Sequence, residues 1–105
     1  MPKPQKQLPG TVEVNPDPVA LGTHAQVSGQ TPAGSFAAVW LRWIAEGNQT
    51  SRQGYTDIAV AADGSFTGAS HNTFEAGEEG PWSLVVLSPE GPKAKVLAQD
   101  SFVVE

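Results

Sequence analysis

Ala37-Ala38-Val39-Trp40-Leu41-Arg42-Trp43-Ile44-Ala45 is the most apolar run in the chain and holds two of its three tryptophans. It reads as a strand, ended by Glu46-Gly47-Asn48. Successive side chains of a strand point to opposite faces, so Trp40 and Trp43 stand on opposite sides of the sheet. One face reads Val39, Leu41, Trp43, Ala45; the other reads Ala38, Trp40, Arg42, Ile44. Arg42 decides between them, because burying an unpaired guanidinium costs far more than leaving it in water. Trp43 is therefore assigned to the core. Trp40 falls on the outside, where a tryptophan needs a reason.

The neighbouring segments extend this pattern. Residues 11–14 alternate polar and apolar, and Asn15-Pro16-Asp17-Pro18 then breaks the strand and blunts a sheet edge. Residues 23–28 form a second strand with Ala25 and Val27 on one face, closed by Gly29. Residues 56–61 alternate through Ile58 and Val60, and Asp63-Gly64 predicts a hairpin with residues 65–69 as the returning strand. A polar connection spans 70–80. Residues 81–88 place Trp82, Leu84 and Val86 on one face, and residues 95–104 close the sheet with Phe102 and Val104 turned the same way. About seven strands result, and no segment shows the 3.6-residue apolar period of a long helix.

Composition agrees. The 105 residues suit one domain with a single modest core, and the 11 glycines and 9 prolines are spread along the chain, as in a sandwich or barrel. Residues 1–10 carry three prolines, Lys3 and Lys6, and read as an extended arm; the domain proper is 11–105. Net charge is −5, and beyond the arm four basic residues face eleven acidic ones. An acidic body argues against nucleic acid as a partner. With no cysteine there is no disulfide framework and no thiolate chemistry. The N-terminus lacks the apolar core of a secretory signal, and nothing reaches transmembrane length. A native start at Met1 would leave the protein in the cytoplasm; a domain cut from a longer chain would not be bound by that inference.

Several stretches together resemble a known group. They are Val27-Ser28-Gly29, Val39-x-Leu41-x-Trp43, Ala62-Asp63-Gly64-Ser65-Phe66, Gly80-Pro81-Trp82-Ser83-Leu84-Val85-Val86 and Ser101-Phe102-Val103-Val104. The pattern is similar to the bacterial and phage immunoglobulin-like modules of early-set topology, found on surface and virion proteins. It covers residues 11–105 and leaves the arm outside. Trp82 stands where such modules often place a tyrosine, and Trp40 is an addition to the pattern. The resemblance implies an immunoglobulin-like β-sandwich and a non-catalytic binding, spacer or decoration role.

No motif for chemistry emerges. His24 and His71 lie in no triad context, and two scattered histidines without cysteine make a poor zinc site. Glu75, Glu78 and Glu79 crowd one loop and read as a solvated charge cluster, with a weak calcium site as the sharper alternative. Asn48-Gln49-Thr50 fits a glycosylation sequon and is read as incidental. No enzyme, metal or cofactor is expected.

What remains is the outward side of the third strand. If Trp82, Leu84 and Val86 point inward, Val85 and Leu87 point out, and in an immunoglobulin-like sheet the third and penultimate strands pair. Trp40, Ile44, Val85 and Leu87 would then form one apolar patch with Arg42 at its centre. Three readings of the patch stand open: cover by the chain's own arm through Leu8 and Pro9, a protein interface, or a carbohydrate platform. The expectation drawn is a structural or adhesive module on a larger assembly. Its favoured form is a phage virion component (capsid decoration or tail-associated), assembled in the host cytoplasm and anchored by Lys3, Lys6 and Leu8. The alternative is a glycan-binding or spacer domain of a secreted bacterial surface protein or polysaccharide-active enzyme. The partner is then a capsid, a tail or a neighbouring subunit, with no membrane insertion.

Overall fold

Alternation of apolar and polar residues along the chain is realised as strands. The computed structural model describes residues 8–51, 53–89 and 94–105, and no helix occurs among them. Seven strands follow in order: β1 (Thr11–Asn15), β2 (Gln26–Gln30), β3 (Ala38–Ala45), β4 (Thr56–Ala59), β5 (Ser65–Ala69), β6 (Gly80–Leu87) and β7 (Val96–Val104). One sheet has three strands in the order β1-β2-β5; the other has four in the order β4-β3-β6-β7. All ladders within the sheets are antiparallel. The expected all-β architecture of two sheets and seven strands is therefore present.

The core lies between the sheets. Val14, Val27 and Phe66 come from the smaller sheet; Val39, Leu41, Trp43, Leu84, Val86 and Phe102 come from the larger. Four aromatic rings gather at one end. Trp43 meets Phe102 edge-on at 5.8 Å, and Phe74 lies edge-on to Trp43, Trp82 and Phe102 at 6.2, 5.1 and 5.9 Å. Such T-shaped pairs contribute about 0.5–1.5 kcal/mol beyond their burial. Phe74 comes from the 70–80 connection, which the sequence presents as polar. Its amide donates to Thr23 O and its carbonyl accepts from Gly22, which hold the loop against the sandwich.

Where β1 meets β7, the two sheets are stitched together. Gly10 N–H donates to Leu97 O at 2.8 Å, and Val19 N–H donates to Val103 O at 2.8 Å beside a parallel bridge to Val104. Two carboxylates occupy positions a further strand would take: Asp100 accepts from Val14 N–H at 2.9 Å, and Asp17 from Val103 N–H at 3.1 Å. Amides satisfied in this way are not offered to another chain.

Two expectations are corrected. The Asp63-Gly64 turn does not join a hairpin, because β4 pairs with β3 while β5 pairs with β2 in the opposite sheet. The turn itself is tight, with Gly64 N–H donating to Ala61 O at 2.8 Å. Its far side is captured by the end of β2, since Thr31 N–H and Oγ1 both donate to Gly64 O, and so the chain crosses to the other sheet. Gly29 does not close the second strand either. It lies inside β2, and its missing side chain makes room for the Phe66 ring, whose Cζ would stand 2.3 Å from a Cβ there.

Candidate interaction face

The geometry of the outward side of the larger sheet is set by register. Trp40 lies across from Leu87 on β6 and from Asp57 on β4; Arg42 lies across from Val85, and Ile44 from Ser83. On the other flank Leu87 faces Val96 and Val85 faces Gln99. The structure thus brings Trp40, Arg42, Ile44, Val85 and Leu87 onto one face. Arg42 is exposed and the other four are half-buried. Opposite them, across the thickness of the sheet, Leu41, Trp43, Leu84 and Val86 are buried, with Trp43 at 5% exposure.

The face is wider than the sequence reading made it. Tyr55, 60% exposed, stands edge-on to Trp40 with ring centroids 6.2 Å apart and planes at 65°. Its neighbour Thr56 pairs with Leu41, which turns Tyr55 to the outer side. The available signal was parity with Asp57, hidden because the 49–55 segment is otherwise polar. Val96 and Val103 add apolar surface on β7 at 40% and 42% exposure. Lys3 and Lys6 lie outside the described residues. Leu8 is half-buried, two residues before the point where Gly10 is fixed to β7. Among the described residues, Trp40 has one ring contact, to Tyr55.

Polar groups elsewhere serve the fold. His24 Nδ1 sits 2.8 Å from Ser70 O, and both His24 and His71 are exposed. The glutamates of the 70–80 connection are not a uniformly solvated cluster: Glu78 is fully buried. Each carboxylate holds its own loop. Glu75 accepts from Thr73 Oγ1 at 2.6 Å, Glu78 accepts from Glu75 N–H at 2.9 Å, and Glu79 accepts from Gly77 N–H. The amides of Glu79 itself and of Gly77 hold the Glu79 carboxyl below its usual value. Bonds from the Ser65 hydroxyl and amide likewise lower Asp63. Among the described residues no three His, Asp or Glu side chains gather where they would hold a metal ion. A shallow hollow on the outer side of the smaller sheet is lined by Asn15, Gln26, Ser28, Thr67 and small neighbours, none of them titratable.

Trp82 makes the other noteworthy polar contact. Its Nε1–H donates to Glu78 O at 2.7 Å, tying the start of β6 to the loop that precedes it. By contrast, Trp43 Nε1, Gln53 Nε2 and Thr56 Oγ1 are buried with no hydrogen-bond partner.

Comparison of the chain with protein-family models, with curated proteins and with solved structures gives no match.

Proposed function

We propose that this chain is a non-catalytic immunoglobulin-like module that attaches to a larger assembly through the outer face of its four-stranded sheet. One observation carries the reading: Trp40, Tyr55, Val85, Leu87 and Val96 form a continuous apolar surface around an exposed Arg42. Tryptophan, tyrosine and arginine are the residue types that anchor protein interfaces. The immunoglobulin-like reading draws support from the sheet orders β1-β2-β5 and β4-β3-β6-β7 and from the parallel bridge of Val19 to Val104. It also draws on the Trp82 bond to Glu78 O, which does for this corner what a tyrosine hydroxyl does in immunoglobulin domains.

The assembly proposed is a phage virion, with the chain as a capsid decoration or tail-associated part. Its supports are the resemblance to early-set modules, the absence of cysteine, and the basic Lys3 and Lys6 ahead of an acidic body. A glycan platform fits the face less well. The Trp40 and Tyr55 rings are inclined at 65° and do not form one coplanar platform across both rings.

The test is sedimentation of the native assembly from its source carrying Trp40→Ala, with the variant's fold checked by circular dichroism. The wild-type chain is expected in the heavy fraction and Trp40→Ala in the light one. Retention of a folded Trp40→Ala in the heavy fraction overturns the docking reading. A variant lacking residues 1–10 tests the arm in the same way.

A further inference from the structure

We infer that in the free chain the outer face of the four-stranded sheet is covered by the chain's own N-terminal segment, residues 1–7, lying across Val96, Leu87 and Trp40 towards Asp57. The inference rests on the docking reading above and adds the regulation of that face: a partner gains it by displacing the arm.

The root of the arm fixes where it can go. Gly10 N–H donates to Leu97 O and Val19 N–H to Val103 O, so this part of the chain runs parallel to β7 along its outer edge. Residues before Gly10 therefore leave past the start of β7, where Val96 stands exposed, and Leu8 is already half-buried. Val96 pairs with Leu87, Leu87 with Trp40 and Trp40 with Asp57. These four form one row across the sheet, at the end where the arm leaves. Strands about 4.8 Å apart put β4 roughly 19 Å from the line of the arm. The segment Met1–Gln7, extended in the manner of proline-rich chains, rises about 3.1 Å per residue and covers roughly 22 Å, enough to span the row. On the same scale Pro4 and Pro2 fall to either side of Trp40, with Lys3 between them inside side-chain reach of Asp57.

Chemistry selects this face over the other surfaces near the root. The arm carries prolines and lysines and no acidic residue. Proline-rich segments dock in grooves lined by aromatic rings. Trp40 with Tyr55 edge-on to it supplies such rings. Asp57, at the far end of the row, is exposed, and among the described residues its carboxylate makes no ion pair or hydrogen bond. Arg42 stands two residues further along β3, roughly 7 Å from the row, so the arm passes without crossing it. The rival surfaces lack these features. The outer side of the smaller sheet presents exposed Thr11, Glu13, Gln26, Ser28 and Thr67, with no aromatic ring. Asp63, at the turn beside Gln30, already accepts two bonds from Ser65. A short tether holds the arm at an effective concentration of roughly millimolar, so a contact too weak for a separate peptide is populated in cis.

The test is nuclear Overhauser spectroscopy on the purified, isotopically labelled full chain at physiological salt. Contacts from the ring protons of Pro2 or Pro4 to those of Trp40 or Tyr55 are expected, unchanged on dilution. A mixture of labelled and unlabelled chains is expected to show none between chains. Lys3→Glu, which sets a carboxylate against Asp57, is expected to lose the contacts, and Lys3→Glu/Asp57→Lys to regain them. An arm without these contacts overturns the inference, as do contacts that arise between chains or survive Lys3→Glu. If the contacts are absent while Trp40→Ala still abolishes attachment to the native assembly, the inference falls and the docking reading stands. If they are present and attachment is indifferent to Trp40, the face belongs to the arm and the docking reading falls.

Discussion

Trp82 donates its indole N–H to the carbonyl of Glu78 at 2.7 Å, while the equally buried indole N–H of Trp43 has no partner. The two tryptophans share the aromatic cluster around Phe74, Trp43 also meeting Phe102, and they differ in this one hydrogen bond.

That contrast gives a paired prediction. Replacing either tryptophan by phenylalanine removes similar ring volume, but only Trp82→Phe also breaks a bond and strips an acceptor of its donor. Trp82→Phe is expected to cost about 1–2 kcal/mol more than Trp43→Phe, measured by urea denaturation. Equal losses would mean that the Glu78 contact contributes nothing to stability.

Two glycines, one at the crossing turn and one inside β5, leave room for different neighbours. Gly64 has φ of +90°, and a Cβ there would stand 2.1 Å from the Thr31 carbonyl oxygen, which is fixed backbone. Gly64→Ala is expected to destabilise by roughly 2 kcal/mol or more, with no side-chain change relieving it. Gly68 instead meets the Cδ1 of Ile58, 2.0 Å from where its Cβ would lie. Gly68→Ala should therefore be partly rescued by Ile58→Val, which deletes that methyl group. A double-mutant cycle reads the coupling directly; strict additivity at this site would show that Ile58 is not packed on Gly68.

Acid sensitivity at the same turn has a definite sign. The Ser65 hydroxyl and amide lower the Asp63 carboxyl below its unfolded value of 3.8, so the native state favours the charged form. The stabilisation is present above that unfolded value and is lost as pH falls through the still lower folded value. Asp63→Asn is therefore expected to be less stable than wild type at neutral pH, with the gap closing below about pH 3.8. Stability curves measured across pH 2–7 that stay parallel would contradict this.

Strand parity made half of this molecule legible. Arg42 on one side of its strand set the facing of Trp40 and Trp43, and Trp82, Leu84 and Val86 set that of Val85 and Leu87; burial follows both assignments. What escaped reading came from segments without periodicity. Phe74 is a lone aromatic between polar neighbours, and only its backbone bonds to Gly22 and Thr23 carry it into the core. Glu78 is buried because its carboxylate caps the Glu75 amide and its carbonyl receives Trp82, contacts that no local pattern announces. The turn at Asp63-Gly64 has the sequence of a hairpin, and its change of sheet is decided by Thr31, more than thirty residues earlier. Tyr55 was missed for the same reason as Phe74: its face is defined by pairing with β3, not by its own neighbours.

The division of labour between Trp43 and Trp40 is tested most directly by the urea unfolding free energies of Trp43→Ala and Trp40→Ala. Trp43 is 5% exposed and edge-on to Phe74 and Phe102, and its truncation should cost about 3–5 kcal/mol as a large-to-small core change. Trp40, half-buried on the outer face with Tyr55 at its edge, should cost the fold no more than about 1 kcal/mol. A Trp40→Ala loss as large as that of Trp43→Ala would make Trp40 a structural residue and would contradict its assignment to an interaction face.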